Sequence, residues 1–427
     1  MNNSTCKIKK SGAGLLIFLC WLIYTTSYLG KLNYSANITQ IIDFYKISKA
    51  EAGIAPTFFF FAYGVGQAVN GFFCKKYNTR WMIFISLFTS AILNLMIATT
   101  TSFLLIKWLW LVNGFVLSIL WPTLVRLLAE SLPQKDLGKS SLIMGTTVAF
   151  GTLIIYGLSS IYAAFDQFKL AFYTAAFAGI VVSVFWMILY KPAVRMAKSE
   201  KTDNEGEKEA KQDIQKEPMR NTEKRTFYTT IYLLCFCAIG VNLIKDGLTT
   251  WVPSILKEGY SITDSISILL TLLLPIVAIF GNLFALEVYK KIPNYITHCV
   301  LVFAIILGFL GVIIGSIAFK QVAFMLVGLI VVYFLASSLN SLITSIFPMF
   351  MRETVNSGLY AGVLNAFCYI GSTISSYGLG AIADNFGWSG VFWTLMGFCV
   401  IVCVVLGGYL SIKHFVKEKK DKSITLV

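Results

Sequence analysis

Charge is scarce in this chain of 427 residues. Asp, Glu, Lys and Arg make up 13% of it, about half the roughly 25% usual in soluble domains. Aromatic residues fill the gap, with 34 Phe and 20 Tyr inside a hydrophobic share of 57%, and the mean hydropathy is +0.73. A water-soluble fold cannot cover that much apolar surface, so the solvent is lipid. Period-two alternation is also missing from the apolar stretches, which excludes an outer-membrane barrel. No cleavable leader is evident: Asn2 to Lys10 is short and basic, the run after it is long enough to span, and no small-residue cleavage site follows. Histidine is limited to His298 and His414. With no nucleophile–base set and no Gly-rich phosphate loop, catalysis has no support, and the chain is expected not to be an enzyme. Seven of the nine cysteines (Cys20, Cys235, Cys237, Cys299, Cys368, Cys399 and Cys403) sit inside apolar stretches, where free Cys behaves as a small hydrophobe. Cys235 and Cys237 lie on different helix faces, and no spacing resembles a metal cage. No metal or cofactor is expected.

Apolar runs of about 20 residues are the unit of a helical membrane protein. They fall at 12–36, 52–73, 81–99, 104–131, 138–164, 168–190, 227–256, 263–288, 294–318, 321–349, 357–383 and 388–412. The expected fold class is an all-α membrane protein with twelve transmembrane helices in two six-helix bundles, 1–190 and 227–427. Between them lies the segment 191–226, charged from Lys191 to Arg225, which cannot bury apolar area and is expected to be a mobile cytoplasmic linker. Lys and Arg set the orientation. Of 35 basic residues, 26 fall on the side of the termini: Lys7, Lys9, Lys10, Lys75, Lys76, Arg80, Lys135, Lys139, Lys290, Lys291, Arg352, ten in the linker and five in the tail. Five fall opposite: Lys46, Lys49, Lys169, Lys257 and Lys320. The termini are therefore expected in the cytoplasm, in a multi-pass protein of the cell membrane. The positive charge reads as a topogenic signal toward lipid headgroups, not as a nucleic-acid surface, and a monomer is expected.

Four basic residues remain within the spans: Lys31, Lys107, Arg126 and Lys245. A Lys or Arg at bilayer depth costs about 2.5–3.5 kcal/mol on insertion scales, so it faces a partner or an aqueous cavity. Lys107, beside Trp108 and Trp110, reads as snorkelling into an aromatic belt. Lys31 and Lys245 stand at matched depth in the opening helices of the two halves, which places their ammonium groups across a central cavity. Helical spacing adds Tyr24, Tyr28 and Ser35 to the Lys31 face, and Asn242 and Thr249 to the Lys245 face. Asp246 adjoins Lys245 but lies about 100° around the helix, so it need not neutralise that lysine directly. Arg126 is divided between an ion pair with Glu130 and a secondary substrate contact. Thr146 and Thr147, Asn340 and Thr344, and Asn365, Tyr369 and Ser372 form further polar arcs, for which helix–helix hydrogen bonding is the plainer account. Asp384 and Glu287 lie at span ends and read as interfacial.

The segment Tyr28-Leu-Gly-Lys31-Leu-Asn33-Tyr resembles the first-helix motif of the organophosphate:phosphate antiporters, which carry glycerol-3-phosphate or hexose phosphates. In that family an Arg stands at the place of Lys31, followed two residues later by Asn. Leu243-Ile-Lys245-Asp-Gly247-Leu-Thr-Thr-Trp251-Val-Pro253 resembles the seventh-helix motif, where again an Arg precedes the Gly by two. Asn113-Gly114 through Trp121-Pro122 to Arg126 is similar to the fourth helix, and Gly371 to Gly387-Trp388 to the eleventh and its outer turn. The resemblance spans both halves and implies the major facilitator fold. Departures accompany it: both signature arginines are lysine, the family's fifth-helix His aligns with Val148, and Lys75 replaces the Asp of the loop between spans 2 and 3. An Arg fork grips phosphate through two parallel bonds, whereas Lys offers a point charge.

Together these features lead to the expectation of a secondary transporter for a small organic anion: a sugar phosphate, glycerol phosphate, sugar acid or carboxylate. The candidate contacts are Lys31, Lys245, Tyr28, Tyr24, Asn242, Arg126, Asn340, Asn365 and Tyr369, with Asp246 as coupling candidate. Exchange without a coupling ion is one mode, because two facing cations resist closure of an empty site; proton coupling through Asp246 is another. A membrane sensor of sugar phosphate, with the linker as docking segment, is the alternative. A proton-driven exporter of cations is disfavoured by the two lysines.

Overall fold

The computed structural model describes residues 12–73, 77–205, 221–292, 294–350 and 357–425. Lys7, Lys9, Lys10, Lys75, Lys76, Arg352 and the middle of the linker, 206–220, lie outside the described residues. Ten apolar helices each cross once: Gly12–Ala36, Lys49–Asn70, Thr79–Thr99, Phe103–Ser131, Gln134–Ala164, Lys169–Lys201, Phe227–Tyr260, Asp264–Lys291, Tyr295–Ala318 and Val322–Ile346. The last apolar segment, Tyr360–Phe415, has 56 residues. At about 1.5 Å per residue it is far longer than a bilayer is thick. It turns at Gly387, whose φ of 66° and ψ of −178° are not helical, so it supplies spans 11 and 12. Twelve crossings result, six before the linker and six after.

Helix starts follow from side-chain caps on otherwise orphaned amides. Asn78 accepts from Arg80 N ahead of span 3, Ser102 from Leu105 N ahead of span 4, and Asn294 from Ile296 N and Thr297 N ahead of span 9. Three spans are interrupted midway. Span 4 breaks after Leu117 and resumes at Leu120, where Pro122 has no N–H to offer the preceding turn. Pro275 plays the same part in span 8, which breaks at Leu272. Span 5 breaks at Thr146, where Thr146 and Thr147 hydroxyls donate to the carbonyls of Ile143 and Met144 at 2.7 and 2.6 Å and compete with the helix for them. Span 10 ends in a π-helical turn, Leu342–Ile346.

Several expectations change. The linker is helical at both described ends: span 6 runs on in the helix Lys169–Glu205 and span 7 begins within the helix Asn221–Tyr260. Its first turns are docked, since Glu200 accepts from Gly12 N at 2.7 Å and Ala13 N at 3.1 Å. Lys107 does not simply snorkel; it pairs with Glu51 at 3.2 Å. Between spans 1 and 2 the helix Ile38–Tyr45 is an extra element.

Polar bonds tie the spans within each half, and a second set ties the halves together. Asn33 Nδ2 donates to Asn94 Oδ1 at 2.7 Å and Asn113 Nδ2 to Gly30 O at 2.9 Å, joining spans 1, 3 and 4. Across the halves, span 2 lies on span 11, with Thr57 Oγ1 donating to Thr373 O at 3.0 Å and accepting from Tyr377 N at 3.0 Å. Span 5 lies on span 8, with Ser160 Oγ donating to Ser265 O at 2.8 Å. Apolar side chains such as Phe177 and Tyr232 point outward, 72% and 73% exposed, a surface that only lipid or another apolar face would cover.

Candidate functional site

Spans 1, 2, 5, 7, 8, 10 and 11 enclose a cavity of about 300 Å³ between the halves. Lys31, Lys245, Tyr28, Asn242, Asn340, Asn365, Tyr369 and Asp246 all line it. Two of the sequence candidates do not. Tyr24 is buried behind Tyr28 and Trp121, its ring centroid 5.4 and 4.8 Å from theirs. Arg126 holds Glu130 at 2.9 Å and lies within 3.4 Å of the Thr79 hydroxyl, which is the ion-pair half of its two readings. The breaks in spans 5 and 8 face the cavity through Gly145 and Val148 on one side and Thr271 and Pro275 on the other.

The two lysines have different surroundings. No carboxylate of the described residues lies within ion-pair reach of Lys31; its ammonium faces aromatic rings instead. Tyr63 is 4.5 Å away, Tyr28 5.1 Å, Phe59 5.8 Å and Phe60 5.9 Å, each to the ring centroid. Ring quadrupoles attract a cation without neutralising it, so the charge of Lys31 remains available. Asn33, two residues on, points to span 3 and carries no part of the cavity wall.

Lys245 is held by its neighbour, against the angular expectation: Nζ lies 3.2 Å from Asp246 Oδ1. Asp246 Oδ2 accepts in turn from Ser372 Oγ of span 11. Around this pair, Asn242 Nδ2 donates to Asn340 Oδ1 at 3.0 Å, and the Thr249 hydroxyl meets Tyr333 Oη at 3.1 Å. Asn365 Nδ2 crosses to Gln67 Oε1 in the other half at 2.8 Å.

Sequence reasoning missed Tyr63, Phe59 and Phe60 of the Lys31 cage, and Tyr156, Tyr333 and Asn282 of the wall. The run Phe58-Phe59-Phe60-Phe61 in span 2 gave no cue as to which ring faces inward. Tyr63 is two residues, or about 200° of helix, beyond Phe61, which is 58% exposed, and that opposite face was the available hint.

Toward the end away from the termini the halves are joined by charge. Asp384, at the end of span 11, accepts from Lys49 N at 3.1 Å and Ala50 N at 2.7 Å, the first amides of span 2. Lys49 Nζ reaches Glu258 at 3.1 Å, which also accepts from Trp388 Nε1 at 3.0 Å. Lys257 of span 7 bridges Asp43 at 2.6 Å and Asp264 at 2.8 Å.

The fold has close counterparts among solved transporters. A bacterial homologue of the human lysosomal transporter Spinster, in an inward-facing and unoccupied conformation, superposes with a TM-score of 0.75 over 96% of this chain and 98% of that one, at 13% identity. The xylose transporter XylE of E. coli, partially occluded and inward open, gives 0.68 over 93% and 99%, at 11% identity. Curated relatives are distant but nearly full length. The Escherichia coli membrane sensor protein UhpC is 20% identical over 88% of this chain and 87% of its own. The glycerol-3-phosphate transporter of Bacillus subtilis is 22% identical over 90% and 89%, and the sugar phosphate exchanger 3 of Bos taurus 22% over 82% and 78%. The relatives are of the organophosphate:phosphate antiporter kind to which the helix motifs point. The model of the Major Facilitator Superfamily matches residues 20–360; a twelve-span helical protein with a polar, charged cavity between its halves, this chain is a member of that superfamily of membrane transporters.

Proposed function

We propose that the protein carries a small organic anion across the cell membrane by alternating access, with the substrate bridging Lys31 and Lys245. The single observation behind this reading is the pair of ammonium groups in one cavity between two six-helix bundles, since ionised groups at bilayer depth mark substrate and ion pathways. Sugar phosphates and glycerol phosphate lead the candidates because the relatives named above handle them; sugar acids and carboxylates follow because a lysine point charge does not demand a fork-shaped partner. The bundles are taken as 1–190 and 227–427, with 191–226 between them and both termini in the cytoplasm, on the strength of the basic bias. The charged contacts about Asp384 and Lys257 then seal the outer side, and the cavity serves the cytoplasmic one. Tyr28, Asn242, Asn340, Asn365 and Tyr369 supply hydroxyl and amide partners for the uncharged part of the substrate.

Uptake of labelled glucose-6-phosphate, glycerol-3-phosphate and gluconate into proteoliposomes containing only this protein tests the reading. At least one is expected to enter, and Lys245→Ala is expected to abolish its uptake while the variant stays monodisperse. Lys31→Gln should weaken binding by about 1.5–3 kcal/mol, the scale of a charge-assisted hydrogen bond. Full uptake by a well-folded Lys245→Ala protein would refute the site. The likeness to a sensor protein favours one other reading, signalling without transport; saturable binding with no uptake of any of the three would favour it.

A further inference from the structure

Asp246 is the single carboxylate on the cavity wall among the described residues. Its position is unusual, because it occupies the lysine that the substrate needs. Lys245 is not an open cation waiting for an anion; it already has one at 3.2 Å. The titratable groups that share the wall with Asp246 are Lys31 and Tyr28 from span 1, Tyr156 from span 5, Lys245 beside it in span 7, Tyr333 from span 10, and Cys368 and Tyr369 from span 11, with Ser372 bonded directly to it. Two cations and one anion leave the empty cavity with a single net positive charge.

We propose, resting on the anion-transport reading above, that Asp246 is a resident counter-ion which the substrate displaces and a proton then neutralises, so that each anion moves together with one proton. Two carboxylate-like anions crowded on one ammonium favour taking up a proton between them. The exchange balances. The ion pair Lys245–Asp246 breaks, Lys245 pairs with the substrate, and one proton enters from the water on the open side to form the Asp246 carboxylic acid. On release to the other side the anion leaves, the acid gives up its proton, and the ion pair closes again. For a monovalent anion the cavity charge is the same before and after loading, so the empty and the loaded forms meet similar electrostatic resistance to reorientation.

Ser372 is placed for both states of Asp246. Its hydroxyl donates to the carboxylate and has a second acceptor, Cys368 O, at 3.1 Å. When Asp246 is ionised the hydroxyl serves it as donor. When Asp246 is protonated the hydroxyl can turn to Cys368 O and accept the acid's O–H, since a serine is donor and acceptor at once. Neither state leaves a buried polar group unpaired, and the carboxylic acid has a ready partner.

The test is binding to the purified full chain, of gluconate from about pH 8 to about pH 5, a range over which its carboxylate stays ionised, and of glycerol-3-phosphate at about pH 8, where its phosphate is a dianion. Wild-type affinity for gluconate should rise toward acid pH, by up to about tenfold per pH unit, the slope of one proton taken up with each ligand. A weakly buffered sample with a pH indicator should report about one proton taken up per gluconate bound. Asp246→Asn should bind more tightly than wild type at the alkaline end, lose the pH slope and take up no proton. Proton uptake by the wild type decides the matter alone if that variant does not fold. Binding that is flat with pH and releases or takes up no proton overturns this proposal and leaves the anion site standing, as does a pH slope that survives in Asp246→Asn. No binding of either probe at any pH would overturn the anion reading itself, and this one with it.

Discussion

Lysine and arginine bring the same charge in different shapes, and positions 31 and 245 separate the two effects. A guanidinium is a plate that stacks on rings and forks toward phosphate; Lys31 already sits among four rings. Lys31→Arg with Lys245→Arg is therefore expected to keep anion binding and shift the preference toward phosphorylated ligands, while either single change does worse because the larger head faces an unmatched lysine. Affinities for glucose-6-phosphate, gluconate and glucose in each variant check this, and identical binding of all three by every variant would contradict it. Both lysines were legible in the sequence because an ionised group at bilayer depth is rare. The Lys245–Asp246 contact was not. Helical angles describe where Cβ atoms point, and a four-carbon stem can swing its ammonium through that angle to a neighbouring carboxylate. The aromatic cage was hidden for another reason: in a membrane helix a phenylalanine facing lipid and one facing a cavity are the same letter.

Helices carry the next layer of constraint, and Gly387 is the sharpest case. Its φ of 66° and ψ of −178° fall in a region that is essentially glycine's alone, costing other residues about 1–3 kcal/mol. Gly387→Ala is expected to lower the melting temperature of the purified protein by that equivalent, whereas Gly397→Ala, helical and with no atom within 4 Å of an added Cβ, should be neutral or slightly stabilising. A Gly387→Ala protein as stable as wild type would show that the turn can form by another route. All twelve runs were visible as apolar length, including the last two, which Gly387 divides where the sequence reading did. The helical ends of the linker were not visible. Its Lys and Glu residues are good helix formers, and a helix already nucleated in the membrane extends at little cost, so lack of apolar area was the wrong criterion. The midway breaks of spans 5 and 8 were likewise unread, although Gly145-Thr146-Thr147 and Pro275 are the residues that cause them.

The whole molecule is described in one of its arrangements, and Asp384 is one of the residues that fasten its halves together. Surface ion pairs such as Lys49–Glu258, whose glutamate is 40% exposed, contribute about 0–1 kcal/mol. Asp384 takes two backbone amides as well, so Asp384→Ala is expected to cost the sealed state on the order of 1–3 kcal/mol and move the population about tenfold or more toward the opposite opening. Spin labels at Lys46 and Ser261, both exposed on this end, should report a longer distance in the variant; an unchanged distance distribution would remove Asp384 from the gate. The division into two bundles was readable from the charged segment between them, but the gate was not, because its partners are 335 residues apart in the chain. That gate has a further consequence. A carboxylate of one half caps the first amides of a helix in the other, so unsealing leaves two peptide N–H groups to be met by water. In the alternating-access cycle proposed above, every turnover then includes wetting and drying the end of span 2, and part of the speed is set by how readily two water molecules replace, and give way to, one aspartate.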